Sequence, residues 1–97
     1  MHQRGDDRAQ LSLDCDLRVG SLQWHQATLL DLTTDGFRVK LTHRPNPGEP
    51  VRIRMAGLSP LEAEVCWWRD FEAGCRFVQP LSPYVFEHIL RLAGRQQ

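Results

Sequence analysis

Lysine is almost missing from this chain. Eleven of the twelve basic residues are arginine and Lys40 is the exception; with twelve acids against them, the formal charge is zero. A duplex-binding surface carries a clear cationic excess to displace counterions. That excess is absent, which argues against a nucleic-acid polymer as partner, including a single-strand binder built on Trp24, Trp68 and Arg38. Long apolar runs are missing too. Nothing approaches the ~20 residues of a membrane-spanning helix, and the opening MHQRGDDRAQ is not a signal peptide. The expectation is a cytoplasmic chain without membrane insertion. Cysteine is scarce, odd in number and not at metal-ligand spacing. Cys15, Cys66 and Cys75 each fall in a strand-like segment and read as reduced core residues.

The features of catalysis are likewise lacking. His2, His25, His43 and His88 are scattered, with no partner at a ligand-like interval, so no metal is expected. No glycine-rich loop joins a strand to a helix, and no cysteine has an evident base beside it. The chain therefore reads as a non-enzyme with no catalytic residue and no cofactor.

What is present is the composition of one small ordinary domain: 97 residues, 41% apolar and 25% charged. Alternation runs through most of it. Leu11, Leu13, Cys15 and Leu17 share one face of a first strand, and VGSLQ turns the chain. A second strand covers WHQATLLDL, with Leu30 and Leu32 assigned to the core and Asp31 and Thr33 to the outer wall. Phe37, Val39 and Leu41 then face in, with Arg38 and Lys40 out.

Two further strands fold about AGLSP so that Arg54 faces Glu62, Arg52 faces Glu64 and Ile53 faces Ala63, an ion-paired solvated face over apolar partners. Trp67 is assigned to the core, and Trp68, of opposite parity, to the underside of a helix. GCRFV supplies the last strand. The tail changes period: Ser82 as N-cap, Pro83 at the first helical position, and Val85, Phe86, Ile89, Leu90 and Ala93 on one stripe predict a helix over about 82–94. The class is mainly β, about six antiparallel strands closed into a small barrel with a C-terminal α-helix lying on it.

Two short stretches stand apart. RGDDR at 4–8 places Arg4 and Arg8 just before the first strand, in a segment that Gly5, Asp6 and Asp7 keep from being helical. Extended, the two arginines share a side about 13 Å apart at ~3.3 Å per residue. DLTTDG at 31–36 joins a carboxylate, a hydroxyl and a glycine at a strand end, and Asp31 follows Arg8 by 23 positions. A hairpin turn and a ligand-holding rim are both open readings of that stretch.

With these motifs in this order and interval, followed by PGEPVRIRM, by AEVCWW with GCRFV, and by a closing helix, the chain resembles the PilZ domain family. Those small barrels receive the bacterial second messenger cyclic di-GMP and are marked by R-x-x-x-R and then [D/N]-x-S-x-x-G. The resemblance spans nearly the whole chain. It implies a leader over residues 1–10, flexible when empty, and a PilZ-type barrel over 11–97. It further implies that Arg4 and Arg8 bind guanine and phosphate of cyclic di-GMP, with Asp31, Thr33 and Gly36 as the facing half of the site. Ordering of the leader on the ligand would pass the signal to a protein partner. Thr33 stands where the family usually has Ser, and Asp6 and Asp7 lie between the arginines. The alternative implied by those departures is an adaptor that has lost the nucleotide and acts through protein contacts.

Overall fold

A computed structural model describes residues 8–95 of the chain; residues 1–7, with Arg4, Asp6 and Asp7, lie outside the described residues. Six strands follow one another: β1 (Ala9–Val19), β2 (Trp24–Leu32), β3 (Gly36–Lys40), β4 (Pro50–Arg54), β5 (Leu61–Arg69) and β6 (Glu72–Phe77). One helix among the described residues, α1 (Pro83–Arg95), comes last. All neighbours are antiparallel, and the order β1-β2-β3-β6-β5-β4 closes when β4 pairs with β1. Among the described residues every strand has a paired neighbour on each side, although β4 covers only Asp16–Val19 of β1.

The alternating apolar positions fill the barrel. Leu13, Leu17, Leu29, Leu32, Phe37, Val39, Val51, Ile53, Val65 and Phe77 are all buried in one cluster. α1 begins as the sequence predicts: Ser82 Oγ accepts from the Val85 amide at 3.2 Å, satisfying one free donor of the first turn. Its buried residues are Ile89 and Ala93, with Val85, Phe86 and Leu92 packed beside them, and it rests on β1. No described helix is long and apolar enough to cross a membrane.

Several expectations need correction, and each traces to a β-bulge or a slipped register. On β2, Leu29 pairs with Val39 but Asp31 pairs with Arg38, so Leu30 is an extra residue. Leu29 and Leu32 therefore fill the core, and Leu30, assigned to it by alternation, is only half-buried. On β5, Val65 pairs with Cys75 and Trp67 with Gly74, which makes Cys66 the extra residue. One inserted residue inverts every side chain beyond it. Trp67 thus faces out at 39% exposure, Cys66 is exposed, and Trp68 turns inward, packs against the core and meets Phe71 edge-on. Trp68, assigned to the underside of a helix, has Phe71 as its ring partner, while α1 rests on β1.

The β4–β5 pairing is offset by two residues: Arg52 pairs with Glu62 and Ile53 with Leu61. A shift of two keeps every side chain on its own face, so polarity alone does not distinguish the registers. Consequently Arg52 bonds Glu62 at 3.3 Å, Arg54 reaches Asp16 on β1 at 3.4 Å, and Glu64 is left for Arg76 on β6.

Candidate ligand-binding site

The stretch DLTTDG is a turn whose hydroxyl is spent on holding it together. Between β2 and β3, the Thr33 amide donates to the Gly36 carbonyl at 2.9 Å. Thr33 Oγ1 in turn accepts from the amides of Asp35 at 3.1 Å and Gly36 at 3.0 Å. A side-chain oxygen that satisfies two turn amides pre-sets the connection. The turn is also fastened from outside, since the Phe77 amide donates to the Asp35 carbonyl and the Leu81 amide to the Thr34 carbonyl, both at 2.8 Å. Gly36 is needed for close approach: a Cβ there would fall on the Cys75 carbonyl oxygen. Its φ is not in the left-handed region, so close packing rather than positive φ accounts for the glycine.

Asp31 lies on the outer wall, as its parity predicts, yet it is only 5% exposed. A carboxylate so covered needs compensation. Arg38, directly across on β3, supplies it: Nε donates to Asp31 Oδ2 at 2.8 Å, and Nη1 donates to Glu72 Oε1 at 2.6 Å. The bond to Asp31 first, then that to Glu72, pushes the Arg38 guanidinium above its ordinary range. The charge-assisted chain Asp31–Arg38–Glu72 spans β2, β3 and β6 and fixes the carboxylate in place.

Beside this chain a cleft of about 290 Å³ opens on the barrel wall, at the small end for a ligand site. Arg8, Asp31, Thr33 and Gly36 line one side, and Trp67, Gly74, Cys75 and Arg76 the other. Its floor follows from the β3–β6 register: Gly36 pairs with Arg76, and Arg38 pairs with Gly74. Each arginine therefore has a glycine opposite it, so two guanidinium groups sit diagonally with no side chain between them on those positions. Trp67 lies against Gly74 so closely that any Cβ there would occupy the indole. Arg76 is held by Glu64, and that hydrogen bond raises its pKa.

The structure brings four of the five sequence-assigned residues, Arg8, Asp31, Thr33 and Gly36, to one cleft; Arg4 lies outside the described residues. Arg8 is exposed and immediately precedes β1, whose Gln10 pairs with Asp31; β1 begins at Ala9, two residues before the first apolar position of the pattern. Sequence reasoning missed Arg38, Glu72, Trp67 and Arg76. The β3–β6 pairing would have exposed the glycine–arginine alternation, but Trp67 was hidden by the bulge at Cys66. Among the described residues no group of three His, Cys, Asp or Glu side chains could hold a metal ion.

The family model described as PilZ domain matches residues 2–95. No curated protein matches the chain significantly.

Proposed function

The chain belongs to the PilZ domain family, the family of cyclic di-GMP receptor domains, which are binding and adaptor modules rather than enzymes; we propose that it binds cyclic di-GMP in the cleft between the β2–β3 turn and Trp67. The observation that carries this reading is the arrival of Arg8 beside Asp31, Thr33 and Gly36, residues far apart in the chain, on one cleft wall. Guanine offers O6 and N7 acceptors on one edge, which a guanidinium fork matches, and N–H donors on another, which a fixed carboxylate accepts. Arg4 and Arg8 take the first edge and the phosphates. Asp31, held by Arg38 through one oxygen, takes the N–H edge through the other. Trp67 offers a flat, accessible ring on which a purine stacks. The cleft takes one base and its phosphate, with the rest of the dinucleotide over the rim. Binding draws the part of the leader that carries Arg4 onto the barrel beside Arg8, and a protein partner reads the ordered leader.

The competing reading is an adaptor without nucleotide. It draws on Asp6 and Asp7 in the leader and on Asp31 being already partnered by Arg38. Isothermal titration with cyclic di-GMP separates the two. The receptor reading expects saturable heat at micromolar protein, lost in Arg8→Ala and in Asp31→Asn. No heat with wild type at tens of micromolar, together with its appearance in Asp6→Ala/Asp7→Ala, supports the adaptor.

A further inference from the structure

The three arginines of the cleft are not equivalent. Arg38 is pinned at both ends, Nε to Asp31 and Nη1 to Glu72, and its side chain is 31% exposed. It is committed to the fold. Arg76 is different: its side chain is 66% exposed, and only Nη2 is engaged, by a Glu64 side chain that is itself 41% exposed. Its remaining donors have no protein partner among the described residues. A guanidinium carries five N–H donors in a planar fork, so one held by a single exposed carboxylate keeps most of its capacity.

Its location adds to this. Arg76 lines the same cleft as Arg8, Asp31 and Trp67. Gly36 lies directly across from it and places no side chain in the way. Exposed ion pairs are weak and screened by salt, whereas a phosphate oxygen offers a charge-assisted and often forked contact. We propose that Arg76 is a further phosphate contact of the cleft and that Glu64 is its internal competitor, so that ligand binding exchanges the Glu64 carboxylate for a phosphate oxygen. This rests on the receptor reading above and names a residue pair outside both sequence motifs. Glu64 then tunes affinity. With the pair intact a weakly anionic ligand does not displace the carboxylate, while a ligand with two phosphates does.

The test is titration of wild type, Glu64→Gln, Arg76→Gln, Arg76→Lys and the double variant Glu64→Gln/Arg76→Gln with cyclic di-GMP, each checked for an unchanged circular dichroism spectrum. Both positions are on the surface, so folding is expected to survive. Removing the competitor should tighten binding about 2- to 5-fold, the weight of an exposed ion pair. Arg76→Gln should weaken it about tenfold, with Arg76→Lys in between because charge is kept but the fork is lost. The double variant should bind like Arg76→Gln alone, since Glu64 acts only through Arg76. Equal tightening by Glu64→Gln with and without Arg76 overturns the proposal and leaves only diffuse repulsion. Wild-type affinity in Arg76→Gln overturns it as well. Absence of heat with wild type defeats the receptor reading, and this proposal with it, whereas the outcomes above defeat this proposal alone.

Discussion

Replacing Arg38 by Gln is the most informative single perturbation of the barrel wall. Asp31 is 5% exposed and its Oδ2 takes the Arg38 Nε at 2.8 Å. Removing one partner of a buried ion pair typically costs about 3–5 kcal/mol, because the other charge stays buried without compensation. Arg38 is itself 31% exposed along its side chain, so water and relaxation recover part of that. A loss of about 2–3 kcal/mol remains. Glu72 is also released, but its side chain is one-third exposed and adds little. For a domain of this size 1 kcal/mol moves Tm by about 4–8 °C, so Arg38→Gln should melt roughly 10–20 °C lower. Urea denaturation of wild type, Arg38→Gln, Asp31→Asn and the double variant closes a cycle. The double variant should recover much of the loss, since a neutral amide pair leaves no buried charge. A cost below about 0.5 kcal/mol, or a coupling near zero, would refute the claim that Arg38 exists to hold Asp31.

Further outcomes follow from the same geometry. Gly74→Ala puts a Cβ into the Trp67 indole and should cost about 1–3 kcal/mol with a shifted tryptophan emission, whereas Gly94→Ala meets open space and should stabilise α1 by about 0.5–1 kcal/mol. Thr33→Val removes the acceptor of two turn amides and should cost about 1–2 kcal/mol by denaturant melting, while Thr33→Ser should stay within ~0.5 kcal/mol. Burial pushes the Cys15 and Cys75 thiols from 9.0 up to about 12, so across that window only the folded state keeps the protons. The unfolded chain then binds fewer protons, and this stability is complete below pH 9 and falls as pH rises toward 12, by up to ~1.4 kcal/mol per pH unit per thiol. Urea midpoints at pH 8 and 10 should show the fall, and a flatter profile in Cys15→Ala/Cys75→Ala.

Much of the barrel is written in alternation, and the places where the structure departs from it are local and physical. β1, β3 and β4 alternate without interruption through their buried positions, so their core faces could be read directly. β2 and β5 each carry one extra residue, Leu30 and Cys66, and a bulge has no signature in a single hydrophobic pattern. That is why Trp67 reads as core and proves to be a wall of the cleft. The β4–β5 register differs by two from the one that alternation predicts because the connection from Met55 to Pro60 is a longer loop, with Gly57 at positive φ and the Leu58 amide bonded to the Met55 carbonyl. The motif residues Asp31, Thr33 and Gly36 were legible as a group. Their partners Arg38 and Glu72 were not, because cross-strand neighbours are set by topology rather than by spacing.

Cyclic di-GMP is proposed to sit between the β2–β3 turn and Trp67. Nitrogen-15 NMR titration of the full chain tests that placement most directly, since the three tryptophan indole signals report three separate places. Trp67 lines the cleft, Trp68 packs on the core beside Phe71, and Trp24 lies under Arg54 outside the cleft lining. Saturable shifts of the Trp67 indole and of the amides from Asp31 to Arg38 are expected, with Trp24 unmoved. Saturable shifts centred on Trp24 with Trp67 silent, or no shifts at millimolar ligand, would contradict it.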